Sequence, residues 1–305
     1  MVRRRKGRDV QGIVLLNKPI GMTSNTALQK VKQLFNARKA GHTGSLDPIA
    51  SGLLPICLGE ATKVSGFLLD ADKKYQTTVK LGIRTNTGDA DGEIIETKPV
   101  DGIDPQQLNA VLQKFVGTIE QIPPMHSAIK QQGIPLYKLA HQGLEVDRKP
   151  RRVTIHDIRL TELRDDEIDL DIHCSKGTYI RTLAEDIGAA MEVGGHVKAL
   201  HRTGVGPFRA ADMVTLDRLF ELSEQDDYEA LDNLLLPMEN ALSHWPDVNL
   251  SDDAAHYVRQ GQAVFVSRAV THGFVRLFNS QQRFLGVGQI LEDGRVAPRR
   301  LVNAR

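Results

Sequence analysis

Ile13-Val14-Leu15-Leu16 is a continuous apolar run ending at Lys18-Pro19-Ile20-Gly21, a pattern that predicts a buried strand running into a turn. Ala27, Leu28, Val31, Leu34 and Phe35 then recur on one 3.6-residue stripe. That spacing predicts a helix with Thr23 or Ser24 as its N-cap, because a hydroxyl there accepts from the unpaired N–H groups of the first turn. Residues 53–58 form a second short apolar run, and residues 60–69 have helical character. Residues 75–81 (YQTTVKL) combine β-branched side chains with alternation, as strands do. Asp104-Pro105, followed by Leu108, Val111, Leu112 and Phe115 and closed by Gly117, marks a helix with an N-cap, a first-turn proline and a terminating glycine. Residues 167–174 alternate strictly, with Ile168, Leu170, Ile172 and Cys174 on one face. Residues 178–191 return to a helical stripe of Leu183, Ala184, Ile187 and Met191.

The long strand-like segments come in consecutive pairs, 75–81 with 93–100 and 153–163 with 167–174. This order predicts an α+β fold, with a mixed, largely antiparallel sheet flanked by helices. Residues 123–152 lack clear periodicity and are rich in Pro, Gly, Lys and Gln, and so long a stretch is usually functional or mobile. Trp245-Pro246 marks a second boundary. Beyond it, a helical patch at 251–259 precedes strand-like runs at 263–267, 274–279, 283–290 and 295–302, a small all-β unit. The expected organisation is a basic flexible start at 1–11, a large domain at 12–245 carrying the 123–152 insert, and a small β domain at 246–305.

Composition narrows the class without naming a partner. With 41% hydrophobic and 25% charged residues, the chain is that of a globular protein with a sizeable core. The net charge of +1 gives no general argument for nucleic acid, so any basic surface must be local. Local concentrations exist at Arg3-Arg4-Arg5-Lys6 with Arg8, at Arg148-Lys149-Pro150-Arg151-Arg152, and in residues 246–305, which hold eight Arg, no Lys and five acids. Cys57 and Cys174 are isolated in apolar or alternating runs, which predicts buried reduced thiols and fits a cytoplasmic protein. The apolar run after the basic start is too short for a signal sequence or a membrane span. No Cys-x-x-Cys or His-Glu-x-x-His spacing occurs, and Gly88-Asp89-Ala90-Asp91-Gly92 lacks the rest of a calcium loop, so it reads as a β-turn before Glu93. The expectation is chemistry without metal or organic cofactor.

Asp47 is the residue around which a site can be argued. It lies in GHTGSLDPIASG, where Gly41, Gly44, Gly52 and Pro48 shape a loop around one carboxylate. Two readings are open. An Asp-Pro step in such a loop is ordinary turn chemistry. It is also a rigid way to present an acid as nucleophile or general base.

Three long segments resemble the bacterial tRNA pseudouridine-55 synthase (TruB) family: residues 41–63 around Asp47, residues 16–24 (LNKPIGMTS), and residues 173–183 (HCSKGTYIRTL). They occur in family order, and the likeness extends from about residue 12 to 305. It implies the pseudouridine synthase fold with a C-terminal PUA-like RNA-binding domain. The implied activity is the isomerisation of uridine 55 in the tRNA T loop, by base flipping, cleavage of N1–C1′ and rejoining as C5–C1′. It makes Asp47 the catalytic acid, Arg181 its partner, and Tyr75 the ring that stacks on the uracil near C5. Tyr179 and Leu200 would line the uridine pocket, and His42 would fill the stack left by the flipped nucleotide. Lys18, Lys63, Lys130 and Lys176 become possible RNA contacts, and 123–152 a thumb against the T arm.

The plainer alternatives are an Arg181–Glu185 pair on a helix surface, an ordinary cross-strand Tyr75, and Lys18 with Pro19 as packing for the Asp47 loop. A neighbouring guanidinium is expected to depress the Asp47 pKa and to grip it with a bidentate fork. The long insert and small C-terminal unit resemble the stand-alone form, so no guide RNA, no membrane association and a monomer are expected. Two other functions remain: an RNA-binding protein without catalysis, which needs neither Asp47 nor Arg181, and a glycosidic hydrolase, which needs a second acid in a comparable loop.

Overall fold

A computed structural model describes residues 7–140, 142–267 and 271–303. The basic run at 3–6 lies outside the described residues. The main feature is a ten-stranded mixed sheet. Its order runs Val214–Thr215, Gly12–Lys18, Ala50–Leu58, Gly195–Val205, Lys73–Leu81, Glu167–Cys174, Arg151–Arg164, Gly117–Gln121, with Ala40–His42 and Phe208–Arg209 added at the side. Two pairings are parallel, Gly12–Lys18 with Val214–Thr215 and Gly195–Val205 with Ala50–Leu58; the others are antiparallel. The α+β expectation therefore holds.

The alternation of 167–174 sends Ile168, Leu170, Ile172 and Cys174 into a core shared with the helices Ser24–Leu34, Pro105–Gln113, Ile180–Ala190, Leu216–Glu224 and Tyr228–Asp232. Thr23 caps the first of these and Asp104 the second, each side chain accepting a backbone N–H. The other face of the central strands carries polar side chains, as a period of two requires.

Several expectations need correction. Residues 94–97 do not join strand 73–81; they pair with Ile83–Thr85 in a separate ribbon. Strand Lys73–Leu81 is instead flanked by Glu167–Cys174 and Gly195–Val205, partners distant in sequence. The helix expected at 60–69 is broken into a 3-10 turn at Gly59–Lys63 and a short helix at Ser65–Leu69. The insert is not without structure. It holds a small hairpin, Lys130–Gln131 with Ile134–Pro135, and a helix at Leu136–Ala140.

The C-terminal unit is a four-stranded sheet ordered Asp247–Asn249, Phe274–Phe278, Phe284–Ile290, Val296–Leu301, with a helix at Asp252–Arg259. Its fourth strand is 247–249; of the run expected at 263–267, Val264 forms only an isolated bridge to Val296. This sheet does not hang on a tether. Phe284, Val287 and Val302 share a buried cluster with Ile13, Leu53 and Val205 of the large sheet, and Phe67 meets Trp245 edge-on at 4.9 Å. Among the described residues, no helix is long and apolar enough to cross a membrane.

Candidate active site

Asp47 lies between strands Ala40–His42 and Ala50–Leu58. The backbone makes the turn, with Ala50 N–H donating to the Asp47 carbonyl at 3.1 Å. The carboxylate is left for something else. The loop is held from three sides. Ser24 Oγ accepts from the Leu46 N–H at 2.7 Å and lies 3.0 Å from the Leu46 carbonyl, and Gly21 N–H donates to the Pro48 carbonyl at 2.8 Å. Arg202, buried to 1% exposure, donates to the carbonyls of Leu53, Ser45 and Gly44 at 2.7, 3.4 and 3.3 Å.

Gly52 is required by this arrangement. Its φ is +100°, and a Cβ there would lie 2.4 Å from the Arg202 carbonyl oxygen. The segment 16–24 thus buttresses the Asp47 loop, and the strand carrying Arg202 closes it from the other side.

The carboxylate of Asp47 meets Arg181 at 2.9 Å. Arg181 stands in the first turn of helix Ile180–Ala190, 4% exposed. Its fork is divided rather than bidentate. Nη2 serves Asp47 and the His126 carbonyl; Nη1 serves the carboxylate of Asp89 at 3.3 Å and the Thr87 carbonyl at 3.0 Å. Among the described residues, Arg181 pairs with Asp47 and Asp89 and not with Glu185, the surface-pair alternative. Asp89 is itself fixed by the Thr87 hydroxyl at 2.6 Å and the Asp91 N–H at 3.2 Å.

Burial pushes the Asp47 carboxyl above the usual range; the Arg181 guanidinium opposes this, and the Asp89 charge adds to it. The arginine thus depresses the Asp47 pKa as expected, but burial outweighs it. Although 43% of the Asp47 side chain is open, it opens onto a walled cleft, where surrounding protein still displaces solvent.

That cleft has a volume of about 290 Å³ and is lined by Asp47, Tyr75, Tyr179, Arg181, Leu200 and Arg202 among others. It brings together Asp47 and Arg181 with the three residues expected around the uracil, Tyr75, Tyr179 and Leu200; His42, expected in the vacated stack, is not part of this lining. Burial raises the Tyr75 phenol, with the nearby Arg202 cation opposing. Tyr179 is oriented through its backbone by the buried Gln121, whose side-chain carbonyl accepts its N–H at 3.0 Å and whose amide donates to its C=O at 3.2 Å. Ser127 and Ala128 complete the lining, so the start of the insert belongs to the cleft wall.

The remaining expected residues scatter. His42 pairs with Ile56 in the sheet, and its buried Nδ1 has no hydrogen-bond partner among the described residues. Burial, then Arg202, lowers its pKa. Lys18 cannot contact RNA as expected. It is fully buried, with its ammonium on the Pro19 and Met22 carbonyls at 2.8 and 2.7 Å, and burial lowers its pKa to about 8. Its packing alternative is the one realised. Lys63 pairs with Glu60 and Lys176 with Asp70 at the surface, while Lys130 is exposed on the insert hairpin.

Sequence reasoning missed Asp89, Arg202 and Gln121. The Gly-Asp-Ala-Asp-Gly stretch was the available signal for Asp89, and it looked like a surface turn. Nothing local distinguishes Gln121 or Arg202.

An ionised carboxylate beside a guanidinium, facing aromatic and aliphatic walls, suits attack on or proton removal from a flat polar ring. Comparison with known proteins defines the class. Residues 32–180 match the model of TruB family pseudouridylate synthase (N terminal domain). Residues 181–243 match the tRNA pseudouridylate synthase B C-terminal domain, and 246–302 match Pseudouridine synthase II TruB, C-terminal. The chain is 60% identical over 300 residues to tRNA pseudouridine synthase B of Nitrosococcus oceani, covering 98% of this chain and 97% of the relative. The same-named protein of Coxiella burnetii is 52% identical over 298 residues, 98% and 96% of the two chains.

Among solved structures, a Cbf5-Nop10-Gar1 complex aligns with TM-score 0.72 at 26% identity, over 96% of this chain and 84% of that one. An H/ACA RNP bound to a substrate RNA shares the fold, with TM-score 0.73 at 24% identity over 100% and 92%. The chain belongs to the TruB family of pseudouridine synthases, isomerases that act on RNA, and its C-terminal sheet is the PUA-like unit of that fold.

Proposed function

We propose that this enzyme isomerises uridine 55 in the T loop of tRNA, alone and without a guide RNA. The reading is carried by one observation: the Asp47 carboxylate opens into the 290 Å³ cleft at 2.9 Å from Arg181. A uridine inside a folded loop must be flipped to reach it, at a cost of a few kcal/mol, which contacts along the T arm offset. In the cleft, Tyr75 stacks on the uracil near C5, and Tyr179 and Leu200 close around the nucleoside. Asp47 starts the break of N1–C1′; the base turns, C5 joins C1′, and C5 gives up its proton as N1 gains one. His42 fills the vacated stack. The insert at 123–152, with Lys130, acts as a thumb, and Lys63 and Lys176 meet phosphates once freed from their acidic partners. The enzyme works as a cytoplasmic monomer, with a catalytic domain at 12–245 and a PUA-like domain at 246–305. A non-catalytic RNA-binding role leaves the Asp47–Arg181 pair without a purpose, and a hydrolase would open the cleft to a water opposite Asp47.

Tritium release from C5-labelled uridine in an unmodified tRNA transcript tests this with purified protein alone. Stoichiometric enzyme should release label from position 55. No release, or release from other uridines with position 55 untouched, would remove the proposal.

A further inference from the structure

Outside the cleft, three metal-ligating side chains converge at the end of the large sheet. The Asp72 carboxylate lies 3.1 Å from His156 Nε2 and 3.9 Å from His173 Nε2, and the three donor atoms are all within 4.8 Å of one another. The imidazoles sit 4.7 Å apart, centre to centre. They come from strands Arg151–Arg164 and Glu167–Cys174, and Asp72 immediately precedes strand Lys73–Leu81.

The convergence has a local cause. Along the hairpin, Ile155 pairs with Cys174 and Asp157 with His173, so His156 is the extra residue of a β-bulge. A bulge re-aims a side chain, and here it brings His156 beside His173. Cys174 pairs with Lys73 on the next strand, which sets Asp72 just beyond the same row. Cys174 faces the apolar core, so His173, one residue earlier, faces the open side of the sheet. Lys74 pairs with His173 from the next strand and its charge is felt at that imidazole, while its stem lies over Gly204 on the far side of its own strand.

We propose that Asp72, His156 and His173 form a binding site for a divalent transition-metal ion of the zinc class. Two imidazoles and one carboxylate are the donor set that zinc, cobalt(II) and nickel accept, with water in the open position. Bonds of about 2.0–2.1 Å in a tetrahedron put donors roughly 3.3 Å apart, so small rotations of partly exposed side chains close the set. An oxygen-seeking ion such as magnesium is disfavoured by two imidazoles. Bound there, the ion ties together the ends of three neighbouring strands. The residues that follow two of its ligands, Lys73 after Asp72 and Ser175 two beyond His173, line the cleft. The ion stays out of the reaction itself, and its role is to hold the cleft floor.

The test is a competition titration of untagged, chelator-treated full-length protein with zinc chloride, repeated with cobalt(II) for its visible spectrum. One equivalent should bind to the unaltered protein. Asp72→Asn, His156→Ala and His173→Ala should each weaken binding by about tenfold or more, and the triple variant should abolish it. Zinc should raise the melting temperature of the unaltered protein and not that of the triple variant, because ligands that bind the folded state stabilise it. Magnesium in excess should not compete. Equal zinc affinity in the unaltered and triple-variant proteins overturns the proposal. So does a thiolate charge-transfer band with cobalt, which would place the ion on Cys57 or Cys174.

Discussion

Arg181 and Arg202 both face the Asp47 cleft, and both are nearly excluded from solvent, yet they act by different chemistry. Arg181 divides its fork between two carboxylates and two carbonyls. Arg202 donates to three carbonyls in the segment that carries Asp47 and also reaches the Tyr75 phenol. One cation is spent on charge, the other on the shape of a loop. A buried guanidinium with no carboxylate partner is tolerated because several carbonyl dipoles converge on it. Arg181 accordingly opposes the burial that raises the Asp47 pKa and meets its carboxylate, whereas Arg202 donates to the loop that presents it.

Substitutions can break this division, starting where the effect is largest. Asp47→Asn should lower the single-turnover rate by about 10⁴-fold while gel-shift binding of tRNA persists. Appreciable turnover by this variant would take Asp47 out of the reaction. Arg181→Lys keeps the charge but loses the fork, and should cost about 10²–10³-fold in rate with little change in melting temperature. If it instead unfolds the protein while leaving the rate per folded molecule intact, the two arginines are alike and the contrast fails.

Arg202→Met should act the other way. Three carbonyls lose their donor, so stability should fall by roughly 2–4 kcal/mol in a urea titration, with a smaller loss of rate in the fraction that stays folded. A normal unfolding midpoint would show that the loop does not depend on this residue.

Asp89→Asn should have the smallest effect and the most diagnostic one. Asp89 helps raise the Asp47 pKa, so removing its charge should move the acid limb of the rate profile to lower pH. An unmoved limb would mean that Asp89 positions Arg181 without being felt at Asp47. The sign of the linkage is informative. A carboxyl whose folded pKa is raised adds stability below its unfolded value, and this is lost as pH rises through the raised value. The ionised form that catalysis needs is therefore the form the fold holds less well, a cost commonly found at working sites.

Much of the fold was legible because local periodicity is written in the chain. The stripe from Ala27 to Phe35, the Asp104-Pro105 start and the alternation at 167–174 each became the element they implied. The failures have one physical source. Residues 94–97 alternate like a strand, but periodicity says nothing about which strand lies alongside, and long-range pairing placed them in a separate ribbon. Likewise 263–267 was passed over for 247–249, which has only three residues but finds a partner in Phe274–Phe278.

The site divides along the same line. Asp47, Arg181 and Tyr179 lie in the long motifs, Tyr75 and Leu200 came from the wider resemblance, and the cleft gathers all five. His42 lies away from that lining, and Lys18 proved to be a buried prop. Its burial could not be anticipated, because a lysine beside a turn reads the same whether its ammonium meets water or carbonyls. Asp89 and Gln121 carry no motif of their own; each acts by reaching a residue about 60 to 90 positions away.

The sequence by itself determined the most strongly periodic strands and helices, the glycine-shaped loop and Asp47 as its single acid, since these follow from local spacing and local backbone freedom. Tertiary structure decided what surrounds that acid. The divided fork of Arg181, the arginine that props the loop and the upward shift of the Asp47 pKa come from groups far apart in the chain. Electrostatics and burial depend on distance in space, and only the folded sheet sets those distances.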